Sequence, residues 1–149
     1  MDFKRTRLIG AEPEEIWAVV SDPHHFPRWW PGVVRVEGVS EERFTHVYTT
    51  KKGRAVRIDF RVLKSAAPDT GEPGRRKWGQ DIVGTPFERV LREAVTEVVL
   101  TGTAPRSTSV TITQRQKLRG ASRTGGWMLR RATNARLDEA LEGLQRIFG

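Results

Sequence analysis

A long region of two-residue alternation constrains this fold more than any other feature of the sequence. From Val33 to Gln116, short runs of alternating apolar and polar residues follow one another, as in Val56, Ile58 and Phe60, which are separated by charged residues. This period is typical of β-strands that bury one face. Because consecutive strands joined by short turns pair as antiparallel neighbours, the region predicts about six strands in one sheet.

Helical patterns precede and follow this region. A first strand, Phe3 to Gly10, leads into a short helix that ends at Asp22 and Pro23, and one or two further helical turns fit within His24–Trp30. A long helix is predicted from about Ser122 to Phe148, and it is the element long enough to cover the apolar face of the sheet. We therefore expect an α+β fold: a curved antiparallel sheet of about seven strands around a long C-terminal helix, with two short helices after the first strand.

The second half of the terminal helix has a uniform apolar face. At about 100° per residue, Leu137, Leu141, Leu144 and Phe148 fall on one arc of the helix surface. We expect these four side chains to be buried against the sheet.

Polar residues interrupt the same arc in the first half of that helix. Arg130 and Thr133 lie within it and Asn134 lies on its border. A closed core does not tolerate an unpaired arginine, so this half must face solvent, an acid or a ligand. Arg119 and Arg123 lie at or before the helix start, where the helix dipole disfavours cations. Positive charge at this place favours an anion site for a ligand carboxylate, a phosphate or a phospholipid headgroup.

Length and composition narrow the class of protein. One domain spanning residues 1–149 is the expectation for this length. The sequence has no cysteine, which excludes disulfides and thiolate chemistry. It has neither an apolar run of the ~18 residues that a membrane span needs nor a signal peptide's apolar core at its start, so we expect a cytoplasmic location.

The net charge of +8 is concentrated in one segment. Between Val98 and Leu137 there are eight basic residues and no acid. Such a local excess favours an anionic partner, either a ligand or a transiently bound anionic membrane surface. Nucleic acid is an unlikely partner, because no recognised nucleic-acid motif accompanies the basic residues.

The nonapeptide PHHFPRWWP concentrates aromatic and histidine residues between prolines. His24 and His25 are adjacent and cannot both point into one site from a regular backbone. His46 is the third histidine of the chain, so no metal site is expected. Trp29 and Trp30 are candidates for two roles, one as part of the core and the other at the mouth of a cavity. The alternative is that this stretch forms the mouth of the cavity without contacting a ligand.

The predicted strands offer further candidate residues. His46 and Tyr48 share one face of a strand. If that face points inward, an imidazole and a phenol enter an apolar cavity; if it points outward, they are surface residues. Trp78 belongs to a similar mixed stripe that favours the inward direction, and Ile58 and Phe60 would supply apolar walls.

The order of elements, together with four segments of sequence, resembles the START-like (SRPBCC) superfamily, and within it the polyketide cyclase/dehydrase and lipid-transport group. The segments are Ile9–Asp22, Trp29–Val34, Gly84–Arg89 and Leu137–Leu141. The resemblance covers essentially the whole chain. It implies a helix-grip (START/Bet v 1-like) fold with an internal cavity for hydrophobic ligands. The group includes carriers, cyclases, chaperone regulators and ribosome-associated toxins, and it has no shared catalytic motif.

These patterns favour the binding or transport of a small hydrophobic or amphipathic ligand, an anionic one included, such as a lipid or a polyketide, in an internal cavity. The first alternative is an enzyme of the polyketide cyclase/aromatase type, with His46 and Tyr48 in acid–base chemistry or Arg130 polarising a carbonyl. The second is a protein- or RNA-interaction module that uses the basic surface of residues 115–136. No cofactor is expected, no catalytic residue is assigned, and no pattern specifies an oligomeric state. The residues expected to bind the ligand are Trp29, Trp30, His46, Tyr48, Ile58, Phe60, Trp78, Arg130, Thr133 and Asn134.

Overall fold

The computed structural model describes residues 1–120 and 126–149. Its strands are β1 (Asp2–Ile9), β2 (Arg35–Glu37), β3 (Arg43–Thr49), β4 (Ala55–Ala66), β5 (Gly74–Gln80), β6 (Leu91–Ala104) and β7 (Ser107–Leu118). Its helices are α1 (Pro13–Val20), α2 (Phe26–Trp29) and α3 (Gly126–Phe148), with single 3₁₀ turns at Pro23–His25 and Pro86–Arg89.

The seven strands of the described chain form one antiparallel sheet in the order β1-β7-β6-β5-β4-β3-β2. Strands β2 to β7 pair in chain order, as their alternation predicts, and β1 pairs with β7. A register shift between Val62 and Lys64 adds a local bend to β4. The predicted architecture is confirmed: a curved antiparallel sheet around a C-terminal helix, with two short helices after the first strand.

Helix α3 packs on the inner face of the sheet through the face that its sequence predicts. Leu137, Leu141 and Leu144 are buried, together with the inward residues of β6 and β7. Phe148, predicted to be buried, is only partly so, because it is the last residue of the helix. The expected helix start near Ser122 falls outside the described residues.

The proline-bracketed stretch packs one end of the sheet against α3. The Asp22 side chain accepts a hydrogen bond from the His24 amide and so caps the 3₁₀ turn. Phe26, Trp29 and Trp30 are all buried, so neither tryptophan is a surface residue. Helix α3 meets α2 at Gly143, where a Cβ atom would lie 2.6 Å from the Trp29 carbonyl oxygen. Only glycine permits this close approach of the two backbones.

Replacement of Gly143 by alanine tests this contact. In an isolated helix the change would stabilise by about 1 kcal/mol, because alanine has the highest helix propensity. In this fold the added methyl group collides with the Trp29 backbone, so we expect a net loss of about 1–3 kcal/mol in the free energy of unfolding, measured by urea denaturation. The neighbouring exposed change Glu142→Ala should alter that free energy by less than about 0.5 kcal/mol. A Gly143→Ala protein more stable than the parent would show that α2 and α3 are not packed in this way.

Candidate functional site

A cavity of about 430 Å³ lies between the inner face of the sheet and the first turns of α3. Its walls are mainly aromatic and aliphatic, with a few polar groups. The apolar lining residues are Trp30, Tyr48, Ile58, Phe60, Trp78, Phe87, Val90, Leu91, Ala94, Leu118 and Leu129. The polar lining residues are His46, Gln80, Thr96, Gln114, Gln116 and Arg136.

The cavity exists because the inward residues of β6 and β7 change along the strands. At one end they are large and apolar, as Leu100 and Ile112 are, and both of these are fully buried. Towards the other end they become Ala94, Gln114 and Gln116, which border the cavity. Alanine leaves space and glutamine does not form a dry apolar contact, so the sheet and the first turns of α3 enclose a space there.

The glutamines on β7 are hydrogen-bonded to one another and to β6. The Gln114 Nε2 donates to Thr96 Oγ1 at 3.1 Å, and the Gln116 Nε2 donates to Gln114 Oε1 at 3.3 Å. These two hydrogen bonds give the side chains of Thr96, Gln114 and Gln116 partners within the protein. They give this polar wall a fixed orientation before any ligand enters.

An aromatic cluster forms the opposite wall. The Trp30 and Trp78 rings meet edge to face with centroids 5.8 Å apart, and the His46 ring lies 4.6 Å from that of Phe60. All four of these residues border the cavity. Their mutual packing fixes the ring positions, and such rigid surfaces suit a flat or extended apolar ligand.

Tyr48 joins the aromatic wall to helix α3. Its phenolic oxygen is 3.4 Å from His46 Nδ1 and accepts a hydrogen bond of 3.4 Å from Arg136 Nη2. The ring rests on Gly32, whose φ of +83° is a left-handed conformation and where a Cβ would lie 3.1 Å from Tyr48 Cδ1. Glycine at this position therefore fixes where the phenol lies.

Burial sets the charge state of both side chains. It lowers the pKa of the fully buried His46 to about 3, with the nearby positive charge of Arg136 as a second cause. Burial also raises the pKa of Tyr48, although hydrogen bonds from Arg136 and Trp30 act in the opposite direction. At neutral pH the imidazole is uncharged and the phenol keeps its proton.

Two side-chain nitrogens on the cavity wall have no hydrogen-bond partner among the described residues. They are the Nε2 atoms of His46 and Gln80, both buried. An unpaired buried polar atom costs about 1–3 kcal/mol, so a partner supplied from the cavity would remove that cost.

The structure brings six of the ten residues expected at the site to the cavity. These are Trp30, His46, Tyr48, Ile58, Phe60 and Trp78. The direction of the strand that carries His46 was open in the sequence, and the structure places its imidazole inward.

The other four expected residues lie away from the cavity lining. Trp29 stacks on Phe26 at a centroid distance of 5.2 Å and borders an outer groove instead. Thr133 is buried and Asn134 half-buried, but neither borders the cavity. Arg130 is exposed, with its guanidinium 5.9 Å from the centre of the Phe3 ring.

The arginine at the cavity is Arg136 rather than Arg130. Leu129 borders the cavity, and Arg136 is seven residues further along the same helix face. Arg130 follows Leu129 directly and is therefore turned about 100° away. The heptad spacing places Arg136 on the face of Leu129, but it identifies Arg136 only once the packing of the helix shows that Leu129 faces the cavity. The expectation for Arg123 falls outside the described residues.

Two further features concern metals and membranes. Across residues 1–120 and 126–149, no group of three or more His, Asp or Glu side chains is placed to share a metal ion. His24 and His25 both lie beside Asp22, with nitrogen–oxygen distances of 3.0 and 3.7 Å.

None of the described helices combines the length and apolar character needed to cross a membrane.

Comparison with known proteins identifies relatives of this cavity fold. A family model described as polyketide cyclase/dehydrase and lipid transport matches residues 1–149. No curated protein sequence matches the chain.

Solved structures with the same fold include both single-domain and di-domain proteins. A START superfamily protein from Mycobacterium smegmatis aligns with a TM-score of 0.76 at 13% identity, over 99% of this chain and 96% of that one. The di-domain ARO/CYC protein BexL from the BE-7585A biosynthetic pathway aligns with a TM-score of 0.75 at 19% identity, over 98% of this chain and 45% of BexL. The di-domain ARO/CYC protein StfQ from the steffimycin biosynthetic pathway aligns with a TM-score of 0.74 at 16% identity, over 99% of this chain and 50% of StfQ. This chain thus spans about half of each di-domain protein, and at these identities the likeness establishes the fold.

The buried imidazole predicts a pH dependence of stability. His46 has a pKa of about 3 in the folded protein against 6.5 as its ordinary value. Below pH 6.5 the unfolded chain therefore binds a proton that the folded chain excludes. We expect His46 to add no pH dependence above pH 7 and to lower the free energy of unfolding by up to about 1.4 kcal/mol per pH unit between pH 6 and 5.

Urea denaturation at pH 7.5 and 5 measures this slope. The variant His46→Phe removes the group, so its stability should change less between the two pH values than that of the parent. His24→Gln, which changes an exposed ring, is the matched control and should keep the parent's slope. Equal slopes for the parent and His46→Phe would contradict the burial of a neutral imidazole.

Proposed function

The chain belongs to the polyketide cyclase/dehydrase and lipid transport family, and on that premise we propose that its cavity binds and carries one small, largely apolar molecule with an acidic end. The apolar body would lie between the aromatic wall and the inner face of β6 and β7. The acidic group would lie beside Arg136 and Tyr48.

The observation that carries this proposal is the distribution of charge in the cavity lining. Among the described lining residues, Arg136 is the cation, and no Asp or Glu is present. Its guanidinium forms no ion pair with any carboxylate in the described part of the chain and instead contacts the neutral Tyr48 hydroxyl. A ligand carboxylate at this place would receive a charge-assisted hydrogen bond.

The size and chemistry of the cavity support the same class of ligand. A volume of about 430 Å³ falls within the ~300–1,000 Å³ that is usual for small-molecule sites. Fatty acids, isoprenoid acids and polyketide carboxylates combine an apolar body with one acidic group. The unpaired nitrogens of His46 and Gln80 would suit a ligand that has a further oxygen along its body.

The charge states of the cavity residues favour binding over acid–base catalysis. A general acid or base works best when its pKa is near the operating pH. The pKa of His46 is lowered to about 3 and that of Tyr48 is raised. Neither shift brings the pKa of its group closer to pH 7. The pair is therefore better suited to hold a ligand than to exchange protons with it.

Cyclisation of a polyketide is the second candidate, and the pair of donors at Tyr48 supports it. The Arg136 guanidinium and the Tyr48 hydroxyl are neighbours, and two fixed donors could stabilise the negative oxygen of an enolate formed on a bound ligand. BexL and StfQ are named as ARO/CYC proteins of biosynthetic pathways. This candidate predicts that the protein speeds the conversion of a linear poly-β-ketone into an aromatic product, and that Tyr48→Phe slows this conversion.

Exchange of Arg136 for leucine tests the carrier proposal. The parent should bind a long-chain fatty acid, measured by displacement of a fluorescent fatty acid. Loss of the charge-assisted hydrogen bond in Arg136→Leu should weaken that binding by about tenfold. The corresponding fatty alcohol has no carboxylate, so parent and variant should bind it with similar affinity.

Arg130→Leu is the matched control, because it removes the same charge from a position on the same helix that does not border the cavity. It should bind both ligands as the parent does. If Arg130→Leu weakens acid binding and Arg136→Leu does not, the assignment made from the sequence is right and the one made from the cavity is wrong. If the parent binds neither ligand, the carrier proposal fails.

A further inference from the structure

We propose that the rim of the cavity is a docking surface for an anionic lipid bilayer. We define the rim as residues 83–92, residues 117–119 and Met128. Its exposed aliphatic side chains would enter the headgroup region while the surrounding arginines contact lipid phosphates. The proposal concerns the outside of the protein and does not depend on which ligand the cavity holds.

Three of the seven large apolar side chains that are exposed among the described residues lie on this rim. Val83 is 85% exposed, Met128 60% and Val90 44%. Val90 and Leu91 also border the cavity, and Met128 precedes the lining residue Leu129. Each of the three lies within three residues of a side chain that lines the cavity, and a group of exposed aliphatic side chains near an apolar opening favours contact with an apolar partner.

Unpaired arginines lie among these side chains. The Arg119 amide donates to the Val90 carbonyl at 3.0 Å, and its Nε donates to the Leu91 carbonyl at 3.3 Å. Arg89 and Arg92 flank the same two residues in sequence and are exposed. Within the described residues, none of these three guanidiniums forms an ion pair.

Two acidic groups lie on or beside the rim. Glu88, the acid between Val83 and Arg92, accepts a hydrogen bond from the Gly84 amide at 3.2 Å. Glu93, the next acid along, lies 3.5 Å from the Lys117 ammonium. Against these two acids stand four basic residues, Arg89, Arg92, Lys117 and Arg119, so the rim keeps an excess of positive charge.

The outer face of the sheet differs in this respect. Several of its basic residues have acidic partners, such as Asp81 for Arg43 and Arg61, at 2.7 and 2.8 Å. Arg75 is likewise 3.6 Å from Glu97. Within the described residues, Arg89, Arg92 and Arg119 on the rim have no such carboxylate partner.

The combination indicates a bilayer rather than a nucleic acid. Proteins that bind single-stranded nucleic acid present aromatic rings on which bases stack. The described exposed apolar residues of the rim, namely Val83, Val90 and Met128, are aliphatic. Aliphatic side chains next to arginines match the acyl boundary and the phosphates of an anionic leaflet. Docking in this orientation would bring the cavity opening against the membrane, from which an apolar ligand could enter directly.

Co-sedimentation with vesicles tests the proposal. The parent should bind vesicles made of equal parts phosphatidylcholine and phosphatidylglycerol, and should not bind vesicles of phosphatidylcholine alone. Each basic residue near an anionic surface contributes a factor of about five in affinity. The double variant Arg89→Gln/Arg92→Gln should therefore bind about 25-fold more weakly, and added salt should weaken the parent as well.

Matched controls separate the rim from a general effect of charge. Arg106→Gln/Lys64→Gln removes two exposed charges that are not on the rim and should bind as the parent does. For the apolar contribution, Val83→Ser/Met128→Ser should weaken binding. Leu8→Ser/Leu63→Ser, which removes two exposed aliphatic side chains elsewhere, should not.

A spectroscopic measurement provides a second test. The chain has no cysteine, so Val83→Cys can be labelled at one place with an environment-sensitive fluorophore. Anionic vesicles should shift its emission to the blue, and the same label on Leu8→Cys should not shift. Absence of vesicle binding by the parent, equal weakening by the control pairs, or a shift at both labels would overturn the proposal. Tight binding of a single-stranded RNA without vesicle binding would assign the rim to nucleic acid instead.

Discussion

The packing of the Phe26 ring holds one end of the sheet and helix α3 together. Phe26 lies within 4.4–6.3 Å, between ring centroids, of five other rings, those of Trp29, Trp30, Phe44, His46 and Trp78. Two prolines and a capped 3₁₀ turn place it there, and the close contact of Trp29 with Gly143 joins the same segment to α3. Trp30, His46 and Trp78 are also walls of the cavity. The cluster is thus both the plug at one end of the sheet and one side of the candidate site.

Helix α3 accounts for the other side of the site. Its second half is sealed against the sheet by Leu137, Leu141 and Leu144. In its first half, Leu129 and Arg136 face a space that Ala94 and the glutamines of β7 leave open. The same helix therefore supplies stability at one end and a binding surface at the other. The proposals concern the apolar walls of this open end, the arginine of its described lining and its rim.

The sequence predicted the fold well because the fold depends on periodicity. The alternation from Val33 to Gln116 and the apolar face of the last helix are repeated over many residues, so single exceptions do not change the conclusion. The site depends on single residues instead. Arg130 and Arg136 differ by six residues, and only the packed position of the helix determines which of them meets the cavity. Phe87 and Val90 line the opening from a 3₁₀ turn and the residue after it, and short turns of this kind leave no periodic pattern in the sequence.

The central claim is that the cavity holds a small molecule, and native mass spectrometry of the protein purified from its own host tests it most directly. The parent should carry one non-covalent organic adduct per chain. Ala94→Trp, which fills the cavity from β6, should lack that adduct while keeping the circular dichroism spectrum of the parent. An unliganded parent, or an equal amount of adduct on both proteins, would contradict the assignment of this cavity as the binding site.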